Sequence, residues 1–309
     1  MIGLDHTPTN DIIVTFKFLS MSAAYAALTL GRAAANVVLK REDERLRVLL
    51  YHDVPMSERD RFAGQLRWLA RRWSFISPEQ FEAILEGRER VSGRQLLLTF
   101  DDGLVSNFEV AIEVLRPMRI HAIFFVISDL MSLSGRSEVR AFLGRHLFRG
   151  ESSPPVPDSW SAMSWVQLAQ LLEAGHTIGA HTRSHQCLSG VANTSDLIDQ
   201  VVTSADEIES KMGVPIKHFA YPFGDIASFS AEAMTVARRR FRFIHSGIRG
   251  INGPLTSPHA IRRDALAVQD GQLNYAPLPN SVAGGFLEGC ADWYYRSARR
   301  KIDCWAQRE

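Results

Sequence analysis

Apolar strand-like runs alternate with amphipathic helical stretches from Leu46 to Leu266, and this beat predicts an α/β domain of parallel strands joined by helical crossovers. Two further observations support that class. With 309 residues and 46% hydrophobic composition, the chain can bury one large core. Four of its runs also end at polar or turn-forming residues, His52, Asp101, His181 and Pro222, as happens where loops gather at the carboxyl ends of parallel strands. Periodicity leaves two architectures open, a barrel of regular or irregular form and an open doubly wound sheet.

The elements follow in order. Leu46–Tyr51 is the first strand, and a helix covers Arg59–Arg71 before a short strand around Phe75. Pro78 suits a first-turn position, so a helix is expected through Leu85, followed by a second long strand, Gln95–Phe100. A helix from Val105 to about Leu115 should stop before Pro117, and Ala122–Ile127 is a β-branched and aromatic strand. Residues 128–161 break the beat with Ser, Pro and Gly, which reads as an inserted surface loop with a short helix near Val139–Leu147. The beat resumes with a helix Trp165–Glu173, a turn at Gly175, a strand Thr177–Ala180, and a long helix Asp196–Lys211 ended by Gly213. Strands Lys217–Tyr221 and Phe241–His245 flank a helix Ala231–Arg240, and a last strand includes Ala260–Leu266. The expected organisation is an N-terminal helical extension over 1–45, a main domain over 46–267 with its insert at 128–161, and a C-terminal tail over 268–309 with one helix near Leu287–Ile302.

A formal charge of +1 gives no footprint for nucleic acid, which is therefore not an expected partner. Cys187, Cys290 and Cys304 are too few and too scattered for a disulfide framework or a sulfur zinc site, and favour a reducing compartment. Residues 12–39 are Ala-rich and apolar but interrupted by Lys17 and Arg32, with no clear cleavage site after them; no secretory signal is read, and a cytoplasmic location follows, with the inner face of a membrane as one setting. That segment suits either a helix packed on the core or an interfacial one. Trp293, Tyr294, Tyr295 and Trp305 interleave with Arg296, Arg299, Arg300 and Lys301, a pattern shared by interfacial helices and docking helices, so peripheral membrane contact stands as an expectation. Oligomeric state is left open.

The chemistry concentrates in two pairs. Asp101 and Asp102 close a strand, where alternation of side chains along extended backbone would send them in different directions, one to a metal and one to a proton. The competing reading is a plain Asp-Gly turn with a helix cap. His181 and His185 are four apart, and on a helical turn would face one side and share a cation. A carboxylate from another strand completes a three-ligand set that leaves positions open for water and substrate.

Thr99-Phe100-Asp101-Asp102-Gly103, the His181-to-His185 motif and Phe219-Ala220-Tyr221-Pro222-Phe223-Gly224 resemble the signature blocks of polysaccharide deacetylases of the NodB-homology type, carbohydrate esterase family four, over about Leu46–Leu266. The resemblance, not the periodicity, selects a deformed (β/α) barrel with N-terminal and C-terminal helical extensions. It implies Asp102, His181 and His185 as ligands of a divalent metal, zinc by default, with cobalt, nickel, iron or manganese also accommodated. It implies Asp101 as the base acting on the attacking water, and the backbone N–H of Phe223 as a donor to the oxyanion.

Two departures from the family pattern stand out. Ala220 occupies the place of the usual arginine, so support for Asp101 must come from elsewhere or be missing, with Arg263 or its neighbour Arg262 as the candidate. No histidine follows His259, so the usual late acid is missing. Leu50-Tyr51-His52-Asp53-Val54 resembles the permuted arrangement of poly-N-acetylglucosamine deacetylases, which implies His52 as the acid that protonates the leaving amine. Tyr221 suits a cleft wall for a sugar ring and ordinary strand packing equally. His176, His218 and His245 read as core or surface histidines, and Trp160 and Trp165 as core. The implied activity is removal of N-acetyl groups from sugars of a bacterial surface polysaccharide, lipopolysaccharide or lipid-linked precursor. The alternatives are removal of an O-acetyl or other small acyl group, and a non-catalytic glycan-binding or assembly role on the same scaffold.

Overall fold

The computed structural model describes residues 43–148, 156–269 and 275–307. Eight parallel strands form one sheet: β1 (Arg45–Tyr51), β2 (Ser74–Phe75), β3 (Arg94–Phe100), β4 (Ala122–Val126), β5 (Thr177–Ala180), β6 (His218–Ala220), β7 (Phe243–His245) and β8 (Asp264–Ala265). The order is β7-β6-β5-β4-β3-β1-β8, with β2 on the side of β3. β1, β3 and β4 read as nearly unbroken apolar runs because helices cover them on one side and barrel-interior side chains fill the other. The sheet curves into the deformed (β/α) barrel that the family resemblance implies. A single short segment bridges its last gap: Ile261 pairs with His245 of β7, and three residues later Asp264 pairs with Leu49 of β1.

Register brings the strand ends level. Tyr51 pairs with Phe100 and Phe100 with Phe124, while Ala180 pairs with Val126 and Phe219, so His52, Asp101, His181 and Tyr221 all leave the sheet at one rim. Local sequence sets the helices that feed this rim. Ser77, Ser164 and Ser230 each cap a helix start through the side-chain oxygen, and Ser164 with Gln167 closes a capping box before the helix Trp165–Glu173.

Several expectations are corrected. The helix starting at Val105 does not stop before Pro117 but runs on to Met118. A widened π turn over Ala111–Leu115, in which Arg116 N–H reaches Ala111 O, has already shifted the bonding register when Pro117 enters without an N–H to give. The predicted strand Ala260–Leu266 shrinks to Asp264–Ala265, because Asn252 takes both backbone groups of Arg262 at 2.9 and 2.8 Å in place of a strand neighbour. A hairpin of β9 (Ala267–Gln269) and β10 (Tyr275–Pro277) follows it, where no strand is expected from the sequence. The single helix near Leu287–Ile302 is instead two, Asn280–Leu287 and Arg296–Gln307, separated by turns that begin where Gly289 adopts φ 84°. The insert holds helices Ser128–Met131 and Arg136–His146. The N-terminal helical extension falls outside the described residues.

Candidate active site

Both aspartates turn toward one point, and the reason is not strand alternation. β3 ends at Phe100; Asp102 and Gly103 are both left-handed, with φ of 75° and 76°, which swings the Asp102 carboxylate back under the loop after β5. That loop is not the helical turn expected for a His pair four apart. It is irregular, with Thr182 and His185 at φ 65° and 59°, and this backbone folds the two imidazoles together with ring centroids 5.1 Å apart. Of the five non-glycine residues with positive φ among those described, Asp102, Thr182, His185 and Phe223 lie at this site; such backbone costs about 1–3 kcal/mol per residue and is held only by its surroundings.

Asp102 Oδ1 lies 3.5 Å from His181 Nε2 and 3.4 Å from His185 Nε2. The three side chains are buried, and one donor atom from each lies within 4.8 Å of the others. The outer nitrogens are already committed: His181 Nδ1–H donates to Ala220 O at 2.7 Å and His185 Nδ1–H to His146 O at 2.9 Å. Since a carbonyl can only accept, Nδ1 carries a proton in both rings and Nε2 is the atom each turns toward Asp102. Burial works to lower His181, but Asp101 and Asp102 outweigh it and raise it. Burial lowers His185 to about 4 despite Asp102, so it is neutral at neutral pH, as a ligand must be. Burial works to raise Asp102, but His181, His52 and His185 outweigh it and hold the carboxyl below its usual range.

Asp101 has a different environment. Arg263, fully buried, grips it with both terminal nitrogens, Nη1 to Oδ1 at 2.6 Å and Nη2 to Oδ2 at 2.9 Å, while its Nε donates to Ser246 O at 2.8 Å. The alternative, Arg262, turns away to Asp303 at 3.0 Å. Burial of Asp101 is thus more than offset by Arg263 and then His181, and its carboxyl stays below the ordinary carboxylate range. Asp101 Oδ2 is 4.0 Å from His181 Nε2, beside the three-residue cluster and outside it.

His52 lies close enough for its charge to act on Asp101, Asp102 and His185. Asn107 Nδ2 fixes its carbonyl at 2.6 Å, and the neighbouring Asp53 accepts from Ser106 and from Trp160 Nε1, the latter at 2.8 Å. Phe223 follows Pro222 at φ 64°, its ring 4.8 Å from that of His185. Gly224 closes this turn against Gly247, where a Cβ would come within 2.7 Å of backbone, so only glycine fits. Tyr221 does not form a cleft wall: its ring is fully buried and stacked on Phe229 at 4.2 Å, which decides for packing.

Sequence reasoning missed the residues that hold the His loop. Arg183, between the two histidines, bridges Asp129, Asp199 and Glu207 at 2.9–3.3 Å. A π turn over Asp199–Thr203 frees the Gln200 carbonyl, which accepts from Arg183 N–H at 3.0 Å, while Gln200 Oε1 accepts from Ser184 N–H at 3.2 Å. His146 and Trp160 come from the insert. None of these carries a sequence signal, since a backbone carbonyl serves regardless of residue type and ion pairs between segments distant in the chain leave no local pattern.

Three donor atoms converging beside an ionised carboxylate, at the carboxyl rim of a deformed (β/α) barrel, place the molecule among hydrolases. The family pattern of polysaccharide deacetylases matches residues 88–239, just under half of the chain, consistent with an enzyme of the NodB-homology type. Among solved structures it is similar to IcaB from Ammonifex degensii, with 21% identity over 86% of this chain and 99% of that one at a TM-score of 0.56. It is likewise similar to the BpsB deacetylase domain from Bordetella bronchiseptica, with 19% identity over 72% of this chain and 96% of that one at 0.58. A de-N-acetylase from Aggregatibacter actinomycetemcomitans gives 16% identity over 79% of this chain and all of that one at 0.59. No curated protein matches the chain.

Proposed function

We propose that the chain removes N-acetyl groups from sugars of a bacterial surface polysaccharide, lipopolysaccharide or lipid-linked precursor, in a reaction that needs a divalent cation. The observation that carries this reading is Asp102 Oδ1: it is buried, makes no hydrogen bond, and faces Nε2 of two imidazoles whose Nδ1 atoms are each committed to a backbone carbonyl. A buried carboxylate oxygen in that position suits a cation. Asp102, His181 and His185 would hold it, and two nitrogens with one oxygen accept zinc first, with cobalt, nickel, iron and manganese as substitutes. When bound, the cation polarises the acetyl carbonyl and makes the attacking water more acidic.

The chain's own residues do the rest. Asp101, kept ionised by Arg263, takes the proton of the attacking water on a carboxylate oxygen. The Phe223 N–H, placed by the turn after Pro222, would donate to the carbonyl oxygen as negative charge builds there. His52, on the opposite side of Asp101 from Arg263 in role, gives a proton to the departing amine nitrogen, which would otherwise be too basic to leave. The similar deacetylase domain and de-N-acetylase support the acyl group chosen here.

Acetate release tests the proposal. Purified protein is assayed on N-acetylated glycans, lipid-linked sugars and O-acetylated glycans, with chelator and with each metal restored. Release from an N-acetylated sugar that chelator abolishes and zinc restores is the expected result. Release from O-acetylated glycans alone would replace the acyl assignment, and glycan binding with no release under any metal would overturn the catalytic one.

A further inference from the structure

The amino-end face of the barrel, remote from the catalytic rim, carries apolar and cationic groups that the deacetylase reading does not use. The segment after Leu287 is fastened there. Glu288 is held by Arg45 and Arg94, which start β1 and β3, and Asp292 by Arg47 at 2.7 Å. Directly after this anchor, Trp293 and Tyr294 are 70% and 71% exposed. The loop beside them is tied to the same end: Asn252 N–H donates to Leu46 O, Arg299 to Arg249 O and Arg262 to Ile251 O. On that loop Ile251 is 40% exposed, and Leu255, within a turn closed by Gly253 and Thr256, is completely so. Four of the seven large exposed hydrophobic residues of the described chain therefore share one end of the barrel.

Among the described residues, the exposed charge on this face is mostly basic. The helix Arg296–Gln307 buries Ile302 and Ala306 against the protein and turns Arg296, Arg300 and Lys301 outward. Among the described residues, the acids nearby are engaged, Asp43 by Arg45, Glu288 and Asp292 as above and Asp303 by Arg262, apart from Glu44, which is exposed at the foot of β1. Aromatic rings that mix apolar faces with polar edges, set beside exposed arginine and lysine, match the boundary between anionic headgroups and acyl chains. No helix among the described residues is long and apolar enough to cross a membrane, so contact would be superficial.

We propose that this face docks on an anionic lipid bilayer, with Trp293, Tyr294 and Leu255 entering the interface and Arg296, Arg300 and Lys301 meeting the headgroups. The catalytic rim, at the opposite ends of the strands, then points away from the bilayer toward glycan extending from it. The docking surface stands independently of the acyl chemistry, since none of its residues touches the site.

Flotation of the full chain with vesicles of phosphatidylcholine alone, or mixed with phosphatidylglycerol, tests this. Flotation is expected only with the mixed vesicles and should disappear at high salt. Replacing Arg296, Arg300 and Lys301 together by Gln should weaken partition on the order of 100-fold, at about one kcal/mol per basic residue. Trp293→Ser with Tyr294→Ser should weaken it separately, and quenching of wild-type fluorescence by brominated lipid should be lost in Trp293→Phe. Unchanged circular dichroism and unchanged acetate release from a soluble substrate would show that the variants remain intact. Equal flotation of wild type and both variant sets would overturn the proposal, as would absence of flotation or binding to an acidic polymer without any to vesicles.

Discussion

Arg263 joins Asp101 across 162 residues of sequence, and both partners are almost wholly buried. An ion pair so placed is expensive to break: removing one partner costs about 3–5 kcal/mol because the other charge is left without compensation. Arg263→Met should therefore lower the thermal midpoint strongly. Arg263→Lys keeps the charge but not the two-pronged grip, so turnover should fall at least about tenfold while metal content, measured by elemental analysis, stays the same. The guanidinium works to lower the Asp101 carboxyl, so weakening it lets that carboxyl rise, and the acidic limb of the rate profile should move to higher pH. An unmoved limb would argue against Asp101 as the base. Asp101→Asn should retain metal and lose about 10²–10⁴ in rate, whereas His181→Ala should lose both. At this scale much was legible. Asp101, Asp102, His181 and His185 announced themselves by type and spacing, but the choice between Arg262 and Arg263 was not readable, since neighbours on an extended segment differ only in the face they present.

Among elements, the strands and most helices could be read because local signals and tertiary packing agree. Pro78 opens one helix, Ser164 caps another, and Gly213 ends a third at φ 67°. What could not be read is the irregular backbone. No propensity announces left-handed Asp102, Thr182 or His185, or the two π turns, because these are imposed by neighbours rather than preferred. Thr182 holds the loop through its backbone, its carbonyl accepting from Ser128 N–H, so in Thr182→Gly the relief of left-handed strain should be offset by the freer unfolded chain, and the denaturant midpoint should stay within about 1 kcal/mol of wild type. The insert gives a second test. Trp160→Phe removes the indole donor from buried Asp53 and should cost about 1–3 kcal/mol in chemical denaturation, with a loss of turnover if His52 depends on that neighbour.

For the whole molecule, acid is the revealing variable. His176, buried with Nδ1 accepting from Ala122 N–H, is lowered from 6.5 to about 4 by burial and then by His121. A folded-state pKa below the unfolded one means stability that is complete above pH 6.5 and drains away as pH falls to about 4. Glu82, paired with His218 and Lys217, is lowered from 4.5 to about 2 against its burial, so its contribution is complete above 4.5 and is lost on the way to about 2. The midpoint of metal-free protein should accordingly decline through both windows, and a level profile between pH 6.5 and 4 would contradict the burial of His176. Adding zinc at 100 times its dissociation constant should stabilise the fold by about 2.7 kcal/mol, an increment that Asp102→Asn should largely abolish.

The hydrogen bond from His185 to the His146 carbonyl has a wider implication. The excursion between β4 and β5 reaches the site and orients one of its imidazoles, and surface loops of this kind are where differences in glycan choice are most easily accommodated. Under the proposed reaction, preference and ion retention would be mechanically linked. Grafting a foreign excursion to change which polymer is accepted would also change how firmly the centre keeps its ion, and a successful graft must import a carbonyl at the same spot.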